Sequence, residues 1–157
     1  MKISFLTVGK TNYPFVAEGC ALYFNRLKHY CKFEFIELED VKKAGKLSPD
    51  QLKIKEGEKI LNRLDNQDFV VLLDEKGQSF DSVQFAQWIE QKQIQSTGHI
   101  VFIVGGAFGF SPAVYERANT KLQLSKMTFS HQIIRAIFAE QLYRAFTIIK
   151  GEPYHNV

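Results

Sequence analysis

The sequence predicts an α/β fold, a mostly parallel sheet with helices on both faces. Three observations carry that prediction. Apolar runs of strand composition recur at "ISFLTVG", "FEFIEL", "FVVLLD", "HIVFIVGG" and, more weakly, "LQLS". Segments with apolar residues at helical spacing separate them. Strand and helix alternate along the whole chain, with no repeat, low-complexity tract or linker, a pattern that lays parallel strands under crossover helices. At 157 residues and 45% hydrophobic, with 14 Phe, the chain suits a single domain over residues 1–157.

Each element follows from local chemistry. After the first strand, "FVAEGCALYFNRLKHY" places Phe15, Ala17, Leu22, Phe24 and Leu27 at helix spacing. "SPDQLKIKEGEKILNRL" opens with Ser48 as N-cap, Pro49 at the first helical position and Gln51 closing a capping box. "DSVQFAQWIEQ" and "SPAVYERA" start in the same way, with Asp81 and Ser111 as caps. The charged, glycine-containing "DVKKAGKLSPD" reads as a loop.

The last helix, "QIIRAIFAEQLYRAFTIIK", is apolar on nearly every face, interrupted by Arg135, Glu140, Gln141, Arg144 and Thr147. Such a helix must be covered all round, and a second copy of the chain in a two-fold dimer would provide the cover. His131 and Arg135 are four residues apart and share a face, while Arg144 can pair with Glu140 one turn earlier.

Composition excludes several classes. No run approaches the roughly 20 apolar residues of a membrane span, which predicts a soluble cytoplasmic protein. Cys20 and Cys31 then read as free thiols, and no Cys or His stands at metal-ligand spacing. The net charge of +3 is not spread evenly: residues 1–110 carry 14 basic and 14 acidic side chains, and residues 111–157 carry 6 and 3. An anionic partner would meet the last third of the molecule.

In a parallel sheet, ligands bind beyond the carboxyl ends of the strands. That singles out "LLDEKGQSF", "GGAFGFSP" and "SKMTFSHQ". Gly105, Gly106 and Gly109 lack the spacing of a dinucleotide fingerprint, and no Gly-Lys-Ser/Thr follows for a P-loop. The terminal "KGEPYHNV" adds a stacking ring and an imidazole, Tyr154 and His155, close to Lys150, a combination suited to base and phosphate contact.

"VGG" with "FG" after the fourth strand, "LSKMTFSHQIIRAIFAEQLYRAF" and the terminal "GEPYH" together resemble one family. It is the ribosomal large-subunit methyltransferase H family, a branch of the SPOUT (α/β-knot) methyltransferases. The resemblance covers the whole chain, including "ISFLTVGK" and "KEGEKIL". It implies a parallel sheet with a C-terminal trefoil knot, a homodimer, and methyl transfer from S-adenosylmethionine to N3 of a pseudouridine in 23S ribosomal RNA within the assembled ribosome.

The resemblance also implies residue roles. Leu73, Gly105 and the segment Leu124, Ser125, Lys126, Met127, Thr128 and Phe129 would contact the cofactor, with Gly105 and Gly106 keeping side chains out of its way. His155 and His131 are the bases considered for N3–H, with Tyr154 stacking on the target base. Arg135, Arg144 and Lys150 would serve RNA contact, the two arginines alternatively building a dimer site. Serine stands at position 130, where the family pattern leads one to expect proline.

Overall fold

The structure, a computed structural model, describes residues 1–156. Five strands form one sheet: β1 (Lys2–Val8), β2 (Lys32–Leu38), β3 (Phe69–Ser79), β4 (His99–Val104) and β5 (Thr120–Gln123). Their order is β2-β1-β4-β3-β5, and every pairing is parallel. Five helices complete the fold: α1 (Pro14–Leu27), α2 (Pro49–Leu61), α3 (Ser82–Ile94), α4 (Pro112–Arg117) and α5 (Ile133–Ile149). A short 3-10 turn at Ala44–Lys46 lies within the predicted loop.

Both capping boxes form. The Ser48 hydroxyl accepts from the Gln51 amide at 3.2 Å and the Gln51 side chain accepts from the Ser48 amide at 3.0 Å. Asp81 and Gln84 repeat the exchange at 2.7 and 2.9 Å. Ser111 occupies the N-cap position of α4, but its side chain makes no capping bond.

The pleat sends alternate residues of the central strands to opposite faces. Ile3, Phe5, Ile100, Phe102, Val71 and Leu73 pack with buried residues of α1, α3 and α5. Leu6, Val8, Val101, Ile103, Val70 and Leu72 pack with Ile60 of α2 and Val114 of α4. At the amino ends of the strands a polar chain ties four segments together. His99 bridges Asp68 at 2.7 Å and Ser4 at 2.8 Å, and Ser4 donates to Glu34 at 3.2 Å.

The chain itself covers more of α5 than its composition suggests. The helix lies between α1 and α3, burying Arg135, Phe138, Ala139, Leu142, Ala145, Phe146 and Thr147. Ile133, Ile137, Glu140, Arg144 and Ile148 stay half-exposed along the opposite strip.

One segment expected beyond a strand's end is largely strand. "LLDEKGQSF" continues β3, and the pairing with β5 slips between Leu73 and Gln78, both of which face Leu122. Asp74 to Gly77 therefore bulge from the sheet edge. At Gly77 a Cβ would come within 2.6 Å of the Leu122 backbone, so only glycine allows β5 this approach.

Candidate active site

The carboxyl ends of β3, β4 and β5 meet around a cleft of about 460 Å³, within the range of small-molecule and cofactor sites. Three segments wall it. The β3 bulge supplies Leu73, Asp74, Glu75 and Lys76; the turn after β4 supplies Gly105 to Phe110; the segment after β5 supplies Leu124, Ser125 and Met127 to His131. Seven of the eight residues expected around a cofactor thus line a single cavity. Lys126 is the exception, exposed and outside the lining.

The glycines act differently from the expectation. A Cβ on Gly105 would point into its own turn, 3.1 Å from the Phe110 ring and 3.2 Å from the Gly109 carbonyl, and one on Gly106 would meet the Glu56 carboxylate at 2.5 Å. Both glycines line the cleft, and both also make room for the protein's own packing. Gly109, at φ +82°, closes the turn with its amide donating to the Gly106 carbonyl at 3.2 Å, and lifts Phe108 into solvent at 53% exposure.

The cleft has a polar wall that the sequence reading did not anticipate. Tyr115 of α4 donates to Asp74 Oδ2 at 2.5 Å, while Asp74 Oδ1 accepts from the Lys76 amide at 2.8 Å. Burial and the Asp74 contact push the Tyr115 phenol up to about 12. The Ser130 hydroxyl accepts from the Ile133 amide at 3.2 Å, across the turn that leads into α5 beside His131. Burial, and then the neighbouring Arg135 charge, hold His131 below the ordinary histidine value.

Arg135 requires a correction. It is 0% exposed, with Nε donating to the His131 carbonyl at 2.9 Å and the terminal nitrogens to Val8 and Gly9 carbonyls at 2.9 and 3.0 Å and to Thr11 Oγ1 at 2.9 Å. A guanidinium with its donors used inside the protein cannot reach a phosphate. Arg135 instead locks the end of β1 to the start of α5.

The tail lies elsewhere. Tyr154 donates to Glu140 at 3.0 Å, shares a hydrogen bond with Tyr23 at 3.2 Å and sits edge-on to Tyr143 with Arg144 over its ring. Arg144 also binds Glu140, at 3.0 Å through Nε, and its NH1 lies 3.3 Å from His155 Nδ1. Glu140 is six residues beyond Ile134, the cleft-lining residue of α5, about 9 Å along the helix. Within one chain, Tyr154, His155 and Arg144 cluster outside the cleft, and the exposed Lys150 does not line it either. Nothing in linear order could have shown this, since the tail folds back along α5.

The cleft's chemistry suits a cationic, partly apolar ligand. Leu73, Val104, Leu122 and Leu124 line it, and among its charged side chains the acidic Asp74 and Glu75 outnumber the cation Lys76. A polyphosphate would find little to bind. A cofactor such as S-adenosylmethionine, with its sulfonium charge and adenine ring, fits this lining. Among the described residues no three His, Cys, Asp or Glu gather to hold a metal ion, and no helix is long and apolar enough to cross a membrane.

Comparison with known proteins agrees with this geometry. The family model described as a predicted SPOUT methyltransferase matches residues 1–155. A protein of Cytophaga hutchinsonii is 52% identical over 156 residues, covering 99% of this chain and 100% of its own. Proteins of Parabacteroides distasonis and Christiangramia forsetii are 51% and 49% identical, each with 99% of both chains covered. All three are named ribosomal RNA large subunit methyltransferase H. Near-complete coverage, together with a cleft built from the three strand-end segments, leads to one conclusion: the chain belongs to the SPOUT methyltransferase family.

Proposed function

We propose that this protein uses S-adenosylmethionine to methylate N3 of a pseudouridine in 23S ribosomal RNA, acting on the assembled ribosome. The observation that carries the reading is the gathering of Leu73, Gly105, Leu124, Ser125, Met127, Thr128 and Phe129 around one cleft in a chain with full-length methyltransferase relatives. When bound, the cofactor supplies an electrophilic methyl group. The walls from Leu73 and Leu124 hold its apolar parts, and loop backbone groups offer hydrogen bonds to its polar edge. Most of the rate then comes from alignment, because the protein has to hold N3 in line with the methyl carbon.

The N3–H proton must pass to a base. His155 is the preferred acceptor and His131 the second, each being the residue type whose ordinary pKa lies near neutrality. His155 and Tyr154 lie away from their own cleft, so a second copy would have to bring them to it. A homodimer is therefore part of the reading. Phe15 and Leu22 of α1, the helix packed beside α5, are 65% and 47% exposed and one heptad apart. A partner covering that surface would place its own tail, with Arg144 and Lys150, beside the facing cleft. We further assign the return of residues 124–132 across the strand ends to the threading step of a trefoil knot, within a single domain over residues 1–157; Val157 lies outside the described residues. A cytoplasmic location accompanies a ribosomal substrate.

The test uses the full chain, labelled S-adenosylmethionine and ribosomes lacking the modification. Label should appear at one pseudouridine of the large-subunit RNA, and sedimentation should give twice 18.1 kDa. Cofactor binding without labelled RNA would overturn the substrate. A mass of one chain would overturn the dimer.

A further inference from the structure

The chemistry above leaves one carboxylate unused. Glu56 sits on α2, is only 8% exposed, and lies against the turn after β4. Both of its oxygens stand 2.5 Å from where a Cβ on Gly106 would be, and Gly106 lines the cleft. The backbone of one glycine therefore separates a buried carboxylate from the cofactor cleft. A side chain at 106 would displace the carboxylate from this position.

A buried carboxylate is costly unless a cation accompanies it. None of the ion pairs among the described residues includes Glu56. The segment after β2 faces it with Asp40, a second negative charge. Lys59, on its own helix, is turned to the carbonyls of Glu39 and Asp40, at 2.8 and 3.2 Å. The turn from Gly105 to Phe110 brings no ionisable side chain, and α4 packs on this part of α2 with Ser111 and Val114. Burial first, and Asp40 second, hold the Glu56 carboxyl above its ordinary value.

The missing cation is one that the ligand carries. S-adenosylmethionine bears a sulfonium; loss of the methyl group leaves the neutral thioether of S-adenosylhomocysteine, and the rest of the two molecules is the same. We infer that Glu56 is a specificity-determining residue whose charge makes the cleft prefer the sulfonium cofactor to its thioether by-product, so that methyl transfer itself weakens the by-product's hold. The inference rests on the cofactor reading of the cleft. Asp74 and Glu75 contribute less to this preference: both are more exposed than Glu56, and solvent screens them.

The test is titration calorimetry of the full chain with each ligand, for the native protein and for Glu56→Gln. At an effective dielectric of about 20, a unit charge within about 5 to 10 Å changes affinity on the order of tenfold to hundredfold. Glu56→Gln should weaken S-adenosylmethionine by that factor and leave S-adenosylhomocysteine nearly unchanged. The native preference should fall as pH is lowered through the raised Glu56 range. The amine and carboxylate common to both ligands cancel in the ratio, and only the smaller part due to His131, Asp74 and Glu75 should survive in the variant. Without ligand, Glu56→Gln should melt higher than the native protein at neutral pH, because an uncompensated charge has been removed. Equal loss for both ligands, or no change in either, would overturn the inference, as would a lower melting point. A native protein that bound neither ligand would overturn the cofactor reading as well, whereas binding of both with an unaltered ratio in Glu56→Gln overturns this inference alone.

Discussion

Replacing Arg135 with methionine is expected to cost about 4 kcal/mol of folding stability. Methionine keeps much of the aliphatic stem, so the loss comes from what the guanidinium was holding. Val8 and Gly9 are buried, and their carbonyls accept from Arg135 at 2.9 and 3.0 Å. Each stranded buried acceptor costs about 1–3 kcal/mol. The carbonyl of His131 and the hydroxyl of Thr11 are half-buried, and water can replace the lost donor there. Glu37, 3.5 Å away and about one third exposed, adds little. Two stranded carbonyls give about 2–6 kcal/mol, close to the 3–5 kcal/mol for removing one member of a buried charge pair. With a urea slope of about 2 kcal/mol per molar, the midpoint should fall by about 2 M. The measurement is equilibrium denaturation at one fixed protein concentration, because association shifts the midpoint by mass action. Arg135→Lys should lose most of the same stability, since an ammonium cannot reproduce the fork that spans β1 and α5. A loss below about 1 kcal/mol in Arg135→Met, with weaker ribosome binding rescued by lysine, would refute the structural role and restore Arg135 to the RNA interface.

Two other perturbations follow from the geometry. Gly77→Ala drives a Cβ to 2.6 Å from the Leu122 backbone, so β5 must shift; the expected cost is about 1–3 kcal/mol, with weaker cofactor binding because β5 leads into Leu124–Phe129. An alanine variant with native melting temperature and native cofactor affinity would contradict this. For His131, the folded pKa lies below the unfolded value, so the unfolded chain binds more protons and stability rises with pH. That contribution is present above the ordinary histidine value and is lost as pH falls through it toward the folded value. His131→Gln should flatten the stability-pH slope in that window, and an unchanged slope from denaturation at several pH values would refute the assignment.

The sequence by itself determined the alternation of strand and helix, because apolar periodicity and cap chemistry are local properties. Ser48 with Gln51, and Asp81, announced their helices, and the structure forms both boxes. It also placed the ligand segments, since a parallel sheet opens its backbone groups only at the carboxyl ends of its strands. The family motifs then supplied roles that periodicity could not, and seven of the eight expected cofactor residues share one cleft.

Tertiary structure decided everything that depends on what lies opposite. "DEKGQS" has loop composition, yet β5 on the sheet edge pairs with part of it and makes a bulged strand. Arg135, read as an exposed charge on an apolar helix, is the largest fully buried side chain, because three carbonyls and a hydroxyl converge on it from β1, the loop after it and the start of α5. Gly105 and Gly106, read as space for a ligand, line the cleft and also lie against Phe110 and Glu56. Tyr154 and His155 pack against Glu140 and Arg144 rather than beside His131. Local patterns follow from bonding between near neighbours in the chain, whereas burial, proton affinity and the sharing of a site depend on residues far apart in sequence that only the folded sheet and its helices bring together.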